Sequence, residues 1–132
     1  VDFQNYIKIK TKNGGNLLHC MAVQNENEKS VEFLINFLKT EVGSEEVKKM
    51  QSELDTLNRL PLHCVVQLNI LRNIEFFISL YEKTFKKSEI ENFLSIKTLD
   101  KDIFELAEAN TRNTDVFEGV KLALREYQVH NN

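Results

Sequence analysis

The sequence predicts an all-α protein assembled from repeated helical units. Three landmarks carry that prediction, and they recur at nearly one spacing. A turn signal occurs as Thr11-Lys12-Asn13-Gly14, Thr56-Leu57-Asn58-Arg59 and Thr98-Leu99-Asp100-Lys101, in steps of 45 and 42 residues. An apolar residue followed by Glu opens Val31-Glu32-Phe33-Leu34, Ile74-Glu75-Phe76-Phe77 and Phe117-Glu118-Gly119-Val120, in two steps of 43. Glu46-Val47-Lys48-Lys49-Met50 returns as Glu89-Ile90-Glu91-Asn92-Phe93, again 43 apart. Self-similarity at a fixed period of this length marks stacked helical units, each burying its apolar face on the next.

The period divides one domain, 1–132, into parts. Residues 1–10 read as the end of a preceding repeat, because Asn5–Thr11 matches Asn92–Thr98 position by position. The first full repeat spans 11–55. Gly14 and Gly15 supply the backbone freedom of a hairpin-like tip. A first helix follows at Leu17-Leu18-His19-Cys20. A second carries Val31, Leu34, Ile35 and Leu38 at i, i+3, i+4, i+7, with Glu32 outside the stripe. Ser44 reads as the N-cap of a short third helix with Val47, Met50 and Leu54 inward. The repeat 56–97 follows the same plan. Pro61 fits a first helical turn, where its missing N–H leaves nothing unsatisfied. Ile74, Phe77, Ile78 and Tyr81 form the second stripe, with Glu75 outside. Ser88 and Glu91 suit a capping box ahead of Ile90, Phe93 and Leu94. Residues 98–132 hold a degenerate copy, Asp102-Ile103-Phe104-Glu105-Leu106-Ala107, then trail into polar Gln128–Asn132, as expected of a C-terminal capping repeat.

The most specific stretch is Leu60-Pro61-Leu62-His63, with a second copy in Asn16-Leu17-Leu18-His19. It resembles the opening of an ankyrin repeat, in which a turn delivers a Thr-Pro-Leu-His-like start into a short helix. The period exceeds the usual ankyrin unit of about 33 residues. The surplus lies in 40–55 and 83–97, where the third helix is expected. The resemblance implies an ankyrin-type helical solenoid, enlarged by one helix per repeat. It also implies that His19 and His63 tie neighbouring turns together; Glu105 departs from the pattern. An armadillo-like array also has three helices in about 40–47 residues, but the Pro-Leu-His start speaks against it.

Composition narrows the function. The net charge of −3 argues against nucleic acid, which calls for a clustered basic excess. No apolar run is long enough to span a bilayer, so no membrane partner is expected. Two cysteines make no disulfide framework, and a reducing, intracellular compartment is expected: the cytoplasm first, the nucleus or a host cytosol as alternatives.

Few residues suggest chemistry. His19-Cys20 and His63-Cys64 supply two imidazoles and two thiols, enough for zinc. They lie on successive helices with no local chelate spacing, so no metal and no cofactor is expected. Gly14-Gly15 lacks the Lys and Ser/Thr of a phosphate-binding loop. No pair of carboxylates is marked as an acid and base, and no catalytic residue is assigned; the chain is not expected to be an enzyme.

Ankyrin arrays bind proteins, and the resemblance implies a protein–protein interaction module, monomeric, with a partner the sequence does not name. The surface it implies is the turn tips plus the concave face of the first helices: Lys12, Asn13, Gly15, Asn58, Arg59 and Lys101, then Gln24, Asn25, Gln67 and Asn69. A regulatory or targeting segment of a larger enzyme is the alternative, as is a microbial or viral protein acting in a host cell, which the Asn-, Lys- and Ile-rich composition suits. A structural spacer is a third reading and requires no patch of exposed contact residues.

Overall fold

A computed structural model describes residues 9–24, 28–110 and 114–129. They form eight helices and no strand. In chain order these are α1 Leu17–Val23, α2 Glu28–Val42, α3 Ser44–Gln51, α4 Pro61–Leu68, α5 Leu71–Thr84, α6 Lys87–Leu94, α7 Ile103–Glu108 and α8 Val116–Ala123. The first helices α1, α4 and α7 stack in sequence, and the longer α2, α5 and α8 stack beside them. α4 packs on α5 and α7 on α8, so each pair closes over its own apolar seam.

Each stripe buries as its spacing requires. Val31, Ile35 and Leu38 of α2 are buried and Leu34 is half-buried; Ile74, Phe77, Ile78 and Tyr81 of α5 are all buried. Leu18 and Leu62 sit at 1% and 2% exposure, at the centre of the stack. Pro61 occupies the first helical position of α4. Leu106 and Ala107 continue the seam into the last pair.

The surplus in the period is helical in both places. α3 packs on α2, and α6 packs on α5. Tyr81 fixes α3 from the neighbouring pair: its hydroxyl donates to the Gln51 carbonyl at 2.6 Å. α6 is held by aromatic contacts. Phe85 and Phe93 meet edge to face at 4.8 Å between ring centres, and Tyr81 lies 5.7 Å and 6.1 Å from them. Glu45 and Glu46 in the first turn of α3, with Lys48 and Lys49 in its last, complement the helix dipole.

Three local expectations are corrected. The N-cap of α3 is Gly43, not Ser44, because α2 runs to Val42 and leaves one residue to reverse the chain; Gly43 does so at φ +91°. α6 begins at Lys87, with the Glu89 carboxylate accepting from the Lys86 N–H at 3.0 Å, so Ser88 and Glu91 make no capping box. Phe85 sets this start, since its burial in the aromatic cluster positions the residues after it. Leu54 lies beyond the end of α3 and is 42% exposed, because the helix stops at Gln51 before its period brings Leu54 inward.

Candidate functional site

The three turns join into one hydrogen-bonded edge. Asp55 organises the middle turn. Its carboxylate accepts from the backbone N–H of Leu57 and Arg59 at 3.0 and 2.9 Å, and from Arg59 Nε at 2.9 Å. Asn58 takes φ +63°, a conformation that asparagine tolerates. In the third turn Leu99 and Asp100 stand at φ +52° and +64°, and Thr98 and Lys101 exchange backbone hydrogen bonds. Positive φ at both central residues is the geometry of a tight reversal with type I′ character.

The bonds between turns follow the repeat. The Thr56 N–H donates to the Asn13 carbonyl at 2.7 Å. The Thr98 hydroxyl donates to the Asn58 carbonyl at 3.0 Å, and the Asn58 amide donates to the Lys97 carbonyl at 2.9 Å. Both histidines bridge. His63 Nδ1 accepts from the Leu60 N–H at 3.0 Å, which leaves the proton on Nε2, facing the Ile96 carbonyl at 3.3 Å. His19 does likewise, with the Asn16 N–H at 3.0 Å and the Arg59 carbonyl at 2.8 Å. Burial pushes both imidazoles below their ordinary value, His63 to about 4. At the third turn Glu105 supplies only the local half of this pattern, accepting from the Asp102 N–H at 3.1 Å while Asp102 accepts from the Glu105 N–H at 2.8 Å.

A second ladder runs under the first helices. The Asn69 amide donates to the Ala22 and Gln24 carbonyls at 2.8 and 2.9 Å. The Asn110 amide donates to the Val66 and Asn69 carbonyls at 2.9 and 2.7 Å. Each asparagine thus binds carbonyls at the end of the preceding first helix, where no intrahelical donor remains.

The ten sequence-derived contact residues therefore separate. Lys12, Asn13, Gln24, Asn58 and Lys101 are exposed. Asn25 lies outside the described residues. Gly15 and Asn69 are buried and do not project, which corrects their place on the contact surface. Gly15 closes the first turn, its N–H donating to the Thr11 hydroxyl at 3.0 Å, and Gly14 alone of the pair takes positive φ, at +75°. Gln67 is half-buried, and its side-chain carbonyl oxygen has no hydrogen-bond partner among the described residues. Arg59 is tied to Asp55, whose side chain is 2% exposed, so it is not a free tip charge. Sequence reasoning missed Leu57 and Leu99. Each stands one residue after a turn threonine, 38% and 65% exposed respectively. The sequence sets Leu57 and Leu99 level with Lys12, but the structure shifts the first two turns by one residue: Thr11 pairs with Gly15 as Asp55 pairs with Arg59, so Leu57 takes the place of Asn13.

Other chemistry is limited. Among the described residues no cluster of three or more His, Cys, Asp or Glu is placed to hold a metal. The imidazole nitrogens near the two cysteines are committed to backbone groups, and both thiols are free. Burial pushes the Cys64 thiol up to about 11, away from the thiolate needed of a nucleophile. Among the described residues no helix is long and apolar enough to cross a membrane. Comparison with protein-family models, with curated proteins and with solved structures gives no match.

Proposed function

We propose that the chain is an ankyrin-type repeat array, enlarged by a third helix in each repeat, that works as a protein–protein interaction module. The supporting observation is the edge of linked turns. Bonds from His19, His63, Asn58 and Thr98 fix successive turns to each other and leave the side chains of Lys12, Asn13 and Lys101 in solvent. A rigid edge with free side chains loses little conformational freedom when a partner docks, which favours binding. The partner contacts the turn tips and the concave side of the first helices, including Gln24.

The test is proximity labelling in cells with the wild-type chain and with a variant carrying Lys12→Glu, Asn13→Lys and Lys101→Glu. The reading expects specific neighbours that the variant loses while its melting temperature holds. If variants at Lys48 and Glu91 lose the neighbours and the tip variant keeps them, the third helices are the binding element and the tip reading falls.

A further inference from the structure

The first repeat leaves uncovered what the later repeats bury. Leu17, Pro61 and Ile103 each follow the N-cap of a first helix. Pro61 and Ile103 are buried, and Leu17 is half-buried. Three residues further on, Cys64 and Leu106 are buried and Cys20 is half-buried. In the second helices Phe77 and Val120 are buried, at 2% and 0% exposure, and Leu34 is half-buried. Among the described residues the last pair has a stacked neighbour ahead of it and none behind, yet it buries all three positions. The first pair has a stacked neighbour behind it and none ahead. What the first pair lacks is therefore the covering of a pair stacked ahead of it.

Phe33 stands at the centre of this leading face. Its equivalents, in steps of 43 residues, are Phe76 and Gly119. Both face the preceding pair. Phe76 lines a groove with Glu28 and Glu32 of α2, and a side chain at Gly119 would run into Leu71 of α5. Phe76 and Gly119 are half-buried, whereas Phe33 is 69% exposed. The charges repeat as well. Arg72 of α5 stands in the groove with the two glutamates of α2, and Lys29 holds the same place on α2.

The trailing end is finished differently. Val31 and Ile35 of α2, and Ile74 and Ile78 of α5, give way to Phe117 and Lys121 on α8. The Lys121 ammonium lies 4.7 Å from the centre of the Phe117 ring and 3.2 Å from the Glu118 carboxylate. Its own charged side chains close that end, so it is a poor seat for the Phe33 face of a second copy.

We propose that the leading face of α1 and α2, centred on Phe33, is a stacking interface for a further helical pair of the same array, whose second helix presents glutamates and branched aliphatics in the pattern of Glu28, Val31, Glu32 and Ile35. Continuity with the stack selects this occupant, because a pair of the same kind lies against the equivalent face in both later repeats. The match of Asn5–Thr11 to Asn92–Thr98 leads to the same expectation. Interfaces between neighbours hold such stacks together, and a phenylalanine brings a large apolar area to this one. The face is separate from the turn edge, and the proposal does not rest on the partner-binding reading above.

The test duplicates residues 11–54 in place within the full chain, so that Leu54 of the added copy runs into Thr11 as it runs into Asp55 in the wild type. Urea unfolding should give one transition, steeper than that of the wild type because more surface is exposed, with its midpoint no lower. Phe33→Glu in the inner copy, which now has a pair ahead of it, should shift that midpoint to lower urea. The same change in the outer copy, or in the wild-type chain, should leave the midpoint in place. Separate unfolding of the added copy, with the wild-type transition unchanged, would overturn the proposal, since the face would then not accept a pair. Equal shifts from Phe33→Glu in both copies would assign Phe33 to the fold of its own pair and overturn it, as would no shift from either. Wild-type dimerisation in sedimentation, abolished by Phe33→Glu, would make a second copy the occupant and overturn it too. None of these outcomes decides the turn-edge reading, which the tip variants test.

Discussion

His63 couples the turn edge to pH. Its neutral form fits on both sides, accepting from the Leu60 N–H and donating to the Ile96 carbonyl. A second proton would set Nδ1–H against a backbone N–H. His19 has a nearby outlet, because its Nδ1 also lies 3.0 Å from the Asn16 side-chain oxygen. The folded value for His63 is lowered from 6.5 to about 4, chiefly by burial. The unfolded chain therefore binds the proton first as pH falls. Stability from the neutral ring is full above about pH 6.5 and declines towards pH 4, by roughly 3 kcal/mol at 1.36 kcal/mol per unit. Urea unfolding at pH 7.5, 6, 5 and 4.5 should show this decline; a flat profile from pH 7 to 5 would mean that His63 is protonated in place. Glu53 acts in a lower window. Burial raises its carboxyl, but hydrogen bonds from Asn16 and Lys10 outweigh it and the net shift is downward. Its contribution is present above 4.5 and lost as pH falls further. Arg59→Ala should be destabilising for a different reason. It strips a partner from the 2%-exposed Asp55, which keeps its two backbone donors. The expected loss is about 1–3 kcal/mol, that of an under-satisfied buried acceptor. A loss below about 0.5 kcal/mol, as at surface positions, would show the pair to be solvated.

The third helices are held at particular points. Tyr81 reaches from α5 to the last carbonyl of α3, and burial pushes its phenol well above the usual range, so it stays a donor at any ordinary pH. Tyr81→Phe keeps the aromatic packing and removes the hydroxyl with its bond to Gln51. It should lower stability by about 1–2 kcal/mol, since the Gln51 carbonyl loses its donor. Hydrogen exchange should also speed up in α3 more than in α1. Equal protection of both helices would mean that α3 docks by apolar contact alone. These elements also show how far sequence reading reaches. The stripes of α2 and α5 and the added helices repeat at nearly fixed offsets, so they were legible before any coordinates, while the bridging by His19 and His63 was implied by the resemblance of their motif. The roles of Asp55, Asn69 and Asn110 were not. Each depends on where the backbone of another segment lies: a turn closing on Asp55, and the ends of the first helices for the two asparagines. The cap of α6 shifted for the same reason, because Phe85 answers to Tyr81 and Phe93 rather than to its own neighbours in sequence. Of the candidate surface, the tips were legible as positions, while the pairing of Arg59 and the exposure of Leu57 and Leu99 emerged only when adjacent turns were brought together.

Stability in a stack depends on interfaces between neighbours more than on any one unit. α4 lies between α1 and α7, and α5 between α2 and α8, so the middle pair has two interfaces where each outer pair has one among the described residues. Leu62, at 2% exposure, faces this interior. Leu62→Ala should cost about 2–5 kcal/mol, the usual consequence of a cavity in a buried leucine site. Its effect should spread beyond its own helix, because the cavity weakens contacts to both neighbours. The wild-type chain should unfold in one urea transition, and the variant should shift the whole transition to lower urea. Amide exchange gives the finer test. Val65 and Val66 are fully buried in α4, whereas α8 has one stacked neighbour among the described residues and exposes Leu122 at 62%. In the wild type, α4 amides should exchange only with global opening and α8 amides through local opening at lower free energy. Leu62→Ala should narrow the gap between them by lowering the global limit while leaving local fraying at α8 nearly unchanged. If α8 proves the most protected helix, the last pair is the most stable part of the stack, and the order of stability runs opposite to the order of burial.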